Sequence, residues 1–396
     1  MRRIALMWSI VATTLVCAGT SSVSAQEATP RLLFKVIPLS RDKAAAVMAT
    51  AGTTSVNSLP MWNYTTTASR DGNSYSGMMV GRSPFFHGAR TTTINVILIP
   101  VKITITNASN VTAVFDPTQI DANCLPNGTA TAVSLTQQSP ILTPTSFTMN
   151  GVNEGSTQYI DAFQRANFHS AVNPTGDRYH IQLNLMTTLS VVTLTFNSPD
   201  GAIATADCGN VGVIDRTKFD ATVEPNFAFY SVEPTMLPVF LFYNVVMTDG
   251  SPDQKNPFNN CCTLGYHSGK PATNSGIQLY AVADYDSSGS FNFGSPIDIS
   301  VLAHEVGETV NDPTGTNATP AWGHIGQDPN GCQSNLEVGD PLNTTRFPAV
   351  MMPNGVAYHP QELAFFSWFF GAPSIGAGGK FSNNGTFTTD AGSVCQ

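Results

Sequence analysis

Residues 295–310 constrain the fold of this chain more than any other stretch, because they predict a helix with two chemically different faces. The stretch begins like a helix, with Ser295 at the N-cap, Pro296 at the first helical position and Asp298 at the third. Four aliphatic residues then recur at three- and four-residue steps: Ile299, Leu302, Val306 and Val310. This spacing predicts one buried stripe along the helix.

The opposite face of this helix carries a candidate metal site. His304 and Glu308 are four residues apart, so their side chains share that face, and Glu305 lies about 100° round the helix from His304. The pattern follows H-E-x-x-H, in which two residues bind a metal and the glutamate between them handles a proton, with Glu308 replacing the second histidine. The sequence therefore predicts His304 and Glu308 as ligands and Glu305 as the catalytic base.

The replacement of histidine by Glu308 bears on the identity of the metal. Zinc accepts carboxylate oxygen as well as imidazole nitrogen. A second carboxylate makes metal-bound water less acidic and shifts the preference towards harder ions such as calcium or manganese. Zinc is the predicted cofactor, with calcium as the alternative. The competing interpretation is an amphipathic helix whose polar face carries these residues by accident.

A metal held by two helix residues needs at least a third ligand from elsewhere in the chain. Glu337 and Asp340 form a pair of carboxylates in a segment that Cys332 would anchor, and both are candidates for this ligand. Asp312 is nearer in sequence, but a capping or turn role suits it equally well. Glu362 is a further candidate, although its apolar surroundings favour a helix, at residues 359–370, that mainly packs.

Residues 347–355 follow the candidate ligands and contain Met351 and Met352 before a Pro-Asn-Gly turn. A methionine in a tight turn forms the floor of the metal site in one class of zinc peptidases. Two core methionines ahead of a turn are the alternative.

The N-terminus predicts export. Residues 1–25 have a charged start at Arg2 and Arg3, an apolar stretch and small residues at 23–25, which is typical of a secretory signal peptide. No later apolar run is long enough to span a bilayer. We therefore expect a secreted or periplasmic protein without a membrane span.

The cysteines agree with export. Six remain after residue 25: Cys124, Cys208, Cys261, Cys262, Cys332 and Cys395. An even number in an oxidising compartment predicts three disulfides, whose pairing the sequence does not fix. The adjacent Cys261 and Cys262 are expected to bond to other cysteines, and no C-x-x-C pair suggests a zinc site.

Charge excludes one class of partner. Only 11% of the residues are charged and the net charge is −9, so no basic patch is available for nucleic acid. The composition does not indicate a substrate; the H-E-x-x-E helix, interpreted as a peptidase motif, predicts a protein or peptide substrate.

The predicted elements favour an α+β fold with a mixed sheet and an active-site helix. Helices are predicted for residues 40–51 and 158–172, and strands for residues 91–106, 179–184, 190–196, 237–247 and 277–285. Residues 26–90 form a small β-rich N-terminal region or propeptide, and residues 91–396 form the metal-binding domain with a C-terminal subdomain at 311–396. Residues 284–289 superficially resemble a calcium loop, but a tight polar turn explains them as well.

Strand, motif helix and methionine turn together resemble the zincin superfamily of metallopeptidases. A closer resemblance is to a group of secreted bacterial proteins with H-E-x-x-E, D-P and E-x-x-D in this order; residues 61–85 and 157–169 also resemble this group. The plant exordium (phosphate-induced) proteins share a similar patch. The resemblance implies a zincin-like fold, His304 and Glu308 as ligands with Glu305 as base, and Glu337 as third ligand with Asp340 as a ligand or its supporting partner.

Two hypotheses of function follow. The first is a secreted metal-dependent hydrolase, a zinc endopeptidase that uses Glu305 as its base. The second is a non-catalytic secreted protein in which the same site holds zinc or calcium for stability or for binding a partner.

Overall fold

The computed structural model of this protein describes residues 33–50, 58–173, 178–228, 230, 232–272, 276–291, 296–323 and 332–392. The predicted signal peptide and Ser295 lie outside these residues. No helix in the described part of the chain is long and apolar enough to cross a membrane.

Strands account for most of the regular structure. They are β1 (Leu33–Ile37), β2 (Met61–Thr67), β3 (Ser74–Val80), β4 (Arg90–Thr106), β5 (Thr112–Phe115), β6 (Thr145–Met149), β7 (Val152–Thr157), β8 (Tyr179–Thr188), β9 (Val192–Asn197), β10 (Gly201–Thr205), β11 (Asn210–Asp215), β12 (Met236–Tyr243), β13 (Val245–Thr248), β14 (Thr263–Pro271), β15 (Ile277–Tyr285), β16 (Ala318–Gly323), β17 (Cys332–Asn335), β18 (Val350–Met351) and β19 (Ala357–Tyr358). The helices are α1 (Arg41–Thr50), α2 (Ala132–Gln138), α3 (Tyr159–Asn167), α4 (His169–Val172), α5 (Arg216–Val223), α6 (Ser300–Asn311) and α7 (Phe366–Phe370).

One large sheet organises the molecule. Its main path runs β10-β11-β13-β14-β15-β12-β4-β5, while β1 pairs with β14, and β8 and β9 both pair with β4. The long β4 strand is rich in β-branched residues, and it pairs with β8 along its first half and β9 along its second. Because β5 packs against β11 and β10 against β4, the two ends of the path approach each other and the sheet is nearly closed.

The prediction of an α+β, zincin-like fold is wrong. The chain is mostly β, with 39% strand and 19% helix, and its eight-strand path is nearly closed. Apolar periodicity detected the long strands β4, β12 and β15, but it missed the buried strand β14 and the short hairpins β6–β7, β16–β17 and β18–β19. Strands of two to six residues offer too few alternating positions for a clear periodic signal, even where apolar residues such as Phe147 and Met149 of β6 are buried.

Several elements are confirmed and others differ. The predictions for residues 40–51, 91–106, 179–184, 190–196 and 277–285 correspond to α1, β4, β8, β9 and β15. The predicted helix at 158–172 is divided into α3 and α4, and the strand at 237–247 is interrupted at Asn244, whose φ is 53°.

The predicted helix at residues 359–370 is wrong for most of its length. Only the last five residues form a helix, α7, because the backbone N–H groups of Glu362 and Ala364 donate to Thr345 and Val338 instead of to their own turn.

The motif helix α6 begins later than predicted. It starts at Ser300 with Ile299 at the N-cap, because the carboxylate of Asp298 accepts from the backbone N–H of His359 (3.0 Å) instead of capping a first turn. The helix packs against β14 and β15, and Leu302 and Val306 contact the sheet as the stripe predicts. All 12 residues of α6 are buried, including its polar face.

The sheet separates two hydrophobic clusters. Leu264 belongs to the cluster around α6 and Tyr266 to the cluster around α5, because the register of β14 against β1 shifts at Leu264, between Thr263 and Gly265. Beyond this shift, successive residues of β14 alternate between the two sides. His267, the residue after Tyr266, therefore points to the α6 side. We call these two sides the α6 face and the α5 face.

The disulfides differ in part from expectation. Cys124 pairs with Cys208, and Cys332 is also disulfide-bonded. Cys261 and Cys262 are bonded to each other, so the expectation that each has another partner is wrong. A bond between chain neighbours closes almost no loop, so loop-closure arguments from sequence do not predict it.

Candidate metal centre

Three segments meet on the α6 face of the sheet: α6, β14 and the loop after β17. They bring together two histidines and four carboxylates, none more than 4% exposed: His267, His304, Glu305, Glu308, Glu337 and Asp340. Every ligand and base predicted from the sequence lies in this cluster, together with His267, which the sequence did not indicate.

The first group of donors contains His304, Glu308 and Asp340. The Nε2 atom of His304 lies 3.0 Å from Oε1 of Glu308 and 3.4 Å from Oδ1 of Asp340. The three donor atoms lie within 4.8 Å of one another, so these residues can hold a metal ion.

A second group contains His267, Glu305 and Glu308. The Nδ1 atom of His267 lies 3.4 Å from Oε2 of Glu305 and 3.5 Å from Oε2 of Glu308. This group also satisfies the 4.8 Å limit and shares Glu308 with the first. A lone histidine about forty residues before the motif gives no helical spacing to detect, so only the strand pairing of β14 reveals it.

Glu337 lies beside both groups. Its Oε1 atom accepts from Nδ2 of Asn335 (2.8 Å), and its Oε2 atom lies 3.8 Å from Nε2 of His267. Glu337 thus faces the cluster, although neither group of three donors includes it.

Hydrogen bonds to neutral groups orient the ring of His304. Its Nδ1 atom donates to Oε1 of Gln361 (3.1 Å), and the Gln361 amide donates to the carbonyl of Gly339 (2.6 Å). The backbone N–H of Gly339 donates in turn to Oε1 of Glu308 (3.1 Å). This arrangement leaves Nε2 of His304 directed at the carboxylates, as in metal sites where the other ring nitrogen is held by an acceptor.

His267 has the equivalent arrangement with its nitrogens exchanged. Its Nε2 atom lies 3.0 Å from the carbonyl oxygen of Asp312, which only accepts, so this nitrogen carries a proton. The Nδ1 atom is the one directed at Glu305 and Glu308.

Two glycines allow the close approach of these segments. A Cβ atom on Gly339 would lie 2.4 Å from Nδ1 of His304, and one on Gly265 would lie 2.8 Å from Oε1 of Glu305. Any side chain at either position would displace a donor of the cluster.

The ionisable groups of the centre shift one another's pKa values strongly. Burial raises the pKa of Glu305 to about 7, and burial with the Glu308 charge raises the pKa of Glu337 well above its usual value. Burial opposes the charged form of His267, but the Glu305 and Glu308 carboxylates outweigh it and raise the pKa of His267 to about 10. Burial likewise opposes the charged form of Glu308, but His304 and His267 outweigh it and lower the pKa of Glu308.

The two other candidate ligands have structural roles. Both oxygens of Asp312 accept from backbone N–H groups of residues 316 and 317, so its side chain holds the turn after α6. Glu362 accepts from the Ser382 and Thr386 hydroxyls and thereby holds the C-terminal turns.

The remaining motifs do not add donors. Met351 is 64% exposed, whereas Met352 is buried in the core cluster of the α6 face at the turn between β18 and β19. In the calcium-like loop, Asp284 accepts from the N–H of Val245, and Asp286 accepts from the Ser288 hydroxyl. Among the residues that the structure covers, this loop contributes no group of three metal donors.

Unsatisfied atoms indicate that the centre suits a cation. Oε1 of Glu305, Oε2 of Glu337 and Oδ1 of Asp340 are buried and accept no hydrogen bond within the described structure. Buried carboxylate oxygens without donors are costly, and a metal ion satisfies them. The donor set of imidazole nitrogen and carboxylate oxygen suits zinc and harder divalent ions alike.

Comparisons with known proteins gave no match for this chain, whether among family models, curated proteins or solved structures. The chemistry of the site therefore has to be argued from its own residues.

Proposed function

We propose that this chain is a metal-dependent hydrolase with zinc held by His304, Glu308 and Asp340. The observation that supports the proposal most directly is Glu305, whose Oε1 atom is buried without a hydrogen-bond partner next to that donor group. A zinc ion held there would polarise a carbonyl group and would lower the pKa of its bound water. Peptide is the substrate class that the resemblance to metallopeptidases favours.

The residues have separate tasks in this proposal. His304, Glu308 and Asp340 hold the ion, and Gln361 keeps the imidazole of His304 in the orientation that directs Nε2 at it. Glu305 takes a proton from water at Oε1 and passes it to the leaving amine. The disulfide between Cys124 and Cys208 supports the further proposal that the protein works outside the cytoplasm.

A second candidate function is favoured by burial. Every residue of the centre is at most 4% exposed, and a hydrolase must admit its substrate to the ion. Structural metal sites are closed in this way, whereas catalytic sites keep a position open. The second candidate is therefore a non-catalytic secreted protein whose ion stabilises the fold.

Replacement of the base distinguishes the two candidates. We expect Glu305→Gln to keep the fold but to lower peptide cleavage by about 10² to 10⁴-fold, the usual contribution of a general base. Glu233→Gln, at an exposed glutamate away from the centre, is the matched control and should cleave like the wild type. Zinc-loaded protein that cleaves nothing in a broad peptide library would instead support the stabilising role.

A further inference from the structure

The two donor groups of the centre use different atoms of the residue they share. Oε1 of Glu308 faces Nε2 of His304 at 3.0 Å, while Oε2 faces Nδ1 of His267 at 3.5 Å. A carboxylate that presents one oxygen to each of two donor groups has the arrangement of a bridging ligand. The two groups contain no other common residue.

Donor spacing is compatible with an ion in each group. A tetrahedral ion with bonds of about 2.0–2.1 Å separates its ligand atoms by about 3.3 Å. In the second group, Nδ1 of His267 lies 3.4 Å from Glu305 and 3.5 Å from Glu308. In the first, Nε2 of His304 lies 3.0 Å from Glu308 and 3.4 Å from Asp340.

Each group has its own oriented imidazole. His304 is held through Nδ1 by Gln361, and His267 is held through Nε2 by the carbonyl of Asp312. Each ring thus uses one nitrogen for a neutral acceptor and directs the other at carboxylates, which is the arrangement of metal-binding histidines. A single ion at the first group would not account for the orientation of His267, whose Nδ1 atom is directed at Glu305 and Glu308.

Charge provides an independent argument. The four carboxylates of the centre are buried, and within the described residues none of them forms an ion pair with a lysine or arginine. If all four carboxylates are ionised, one divalent ion leaves a net charge of about −2 and two ions neutralise them; without ions, protons on Glu337 and His267, whose pKa values are raised, balance part of this charge. Uncompensated charge in a buried site is strongly unfavourable.

We infer that the centre binds two divalent cations, the second held by His267, Glu305 and Glu308, with Glu308 bridging the pair. This inference rests on the proposed function, because it takes the first cation at His304, Glu308 and Asp340 as given. Glu337 adjoins Glu308 and Asp340 and supplies the fourth carboxylate. Paired divalent ions of this kind serve hydrolytic reactions by stabilising both the attacking and the leaving oxygen.

The second cation changes the expected behaviour of Glu305. With one cation, Glu305 is only a base, and Glu305→Gln leaves the metal content unchanged. With two cations, Oε2 of Glu305 is a ligand, and the same substitution removes one ion as well as activity. The metal content of this variant therefore reports on the second site without any assay of turnover.

Zinc stoichiometry tests the inference. The mature protein and its variants are dialysed against micromolar zinc and analysed for zinc per chain. We expect two zinc ions in the wild type and one in both His267→Ala and Glu305→Gln. The control His169→Ala removes a histidine from α4, outside the centre, and should keep two.

Each other outcome is decisive. One zinc ion per wild-type chain overturns the second site and leaves the proposed function standing, whereas none overturns both. Two ions in the wild type and two in Glu305→Gln also overturn the assignment of the second site. Glu305→Gln preserves side-chain size, so it remains informative if His267→Ala does not fold.

Discussion

Two consecutive residues of β14 face opposite sides of the sheet, and each contacts carboxylates: a partly buried one at Tyr266 and fully buried ones at His267. On the α5 face, the Tyr266 hydroxyl donates to Asp220, and the Arg216 guanidinium lies 2.6 Å from the other oxygen of that carboxylate. On the α6 face, His267 faces Glu305 and Glu308, and neither carboxylate pairs with an arginine or lysine among the described residues. The carboxylates on the two sides of this strand are therefore balanced differently, by arginine on the α5 face and by imidazole on the α6 face.

Further along β14 the contrast is repeated. Lys270 pairs with Glu224, which also accepts from the Tyr280 hydroxyl (2.8 Å), so the α5 face supplies its own cations. Among the described residues, the metal-centre cluster of the α6 face pairs its carboxylates only with imidazoles and leaves carboxylate oxygens without donors. The carboxylates on the α5 face are therefore balanced by cations of the protein itself, whereas those on the α6 face need protons or metal ions to balance their charge.

Removal of the metal should cause the largest loss of stability, and this loss should arise on the α6 face alone. An ion present at about 1,000 times its dissociation constant adds about 4 kcal/mol to the free energy of unfolding. We expect chelation to lower the melting temperature of the wild type strongly and to leave His304→Ala, which binds less metal, nearly unchanged. Equal responses of wild type and variant to the chelator would show that this face does not depend on an ion.

Removal of the Arg216 guanidinium should lower the stability of the α5 face and leave the metal content unchanged. Arg216 is 16% exposed in its side chain and contacts both Asp220 and Asp249. Breaking a fully buried pair costs about 3–5 kcal/mol, so we expect Arg216→Met, at this partly exposed site, to cost about 2 kcal/mol. Urea unfolding measures the change.

The neighbouring Lys218→Met provides the control, because Lys218 is 57% exposed and lies 4.0 Å from Asp200. It should change the free energy of unfolding by less than about 0.5 kcal/mol. A fall in zinc content in Arg216→Met would contradict the separation of the two faces.

The smallest change in stability is expected at Gln361, whose replacement tests the orientation of His304 on the α6 face. Gln361 touches the ring of His304 but is not a ligand, so Gln361→Leu should weaken zinc binding by about 10–100-fold, the usual cost of losing an orienting partner. Stability without metal should change less, since leucine is of similar size. Isothermal titration with zinc gives the affinity, and an unchanged value would mean that packing alone orients His304.

Features that depend only on local spacing along the chain could be predicted from the sequence. His304, Glu305 and Glu308 lie within two turns of one helix, so their relative positions follow from 3.6 residues per turn wherever that helix is placed. Long buried strands such as β4 were predicted because β-branched residues recur over 17 positions. Glu337 and Asp340 were found as paired carboxylates, and both lie at the centre.

The residues that lie opposite that helix follow from tertiary contacts and not from local spacing. His267 and Gln361 lie 38 residues before Glu305 and 57 residues after His304, and no local period connects such positions. Their contacts follow from the pairing of β14 with β15 and from the extended course of the segment before α7, which tertiary hydrogen bonds impose against its helical sequence. Sequence spacing fixes side chains within one element, whereas the sheet order and the packing of loops bring separate elements together, and the second donor group depends entirely on the latter.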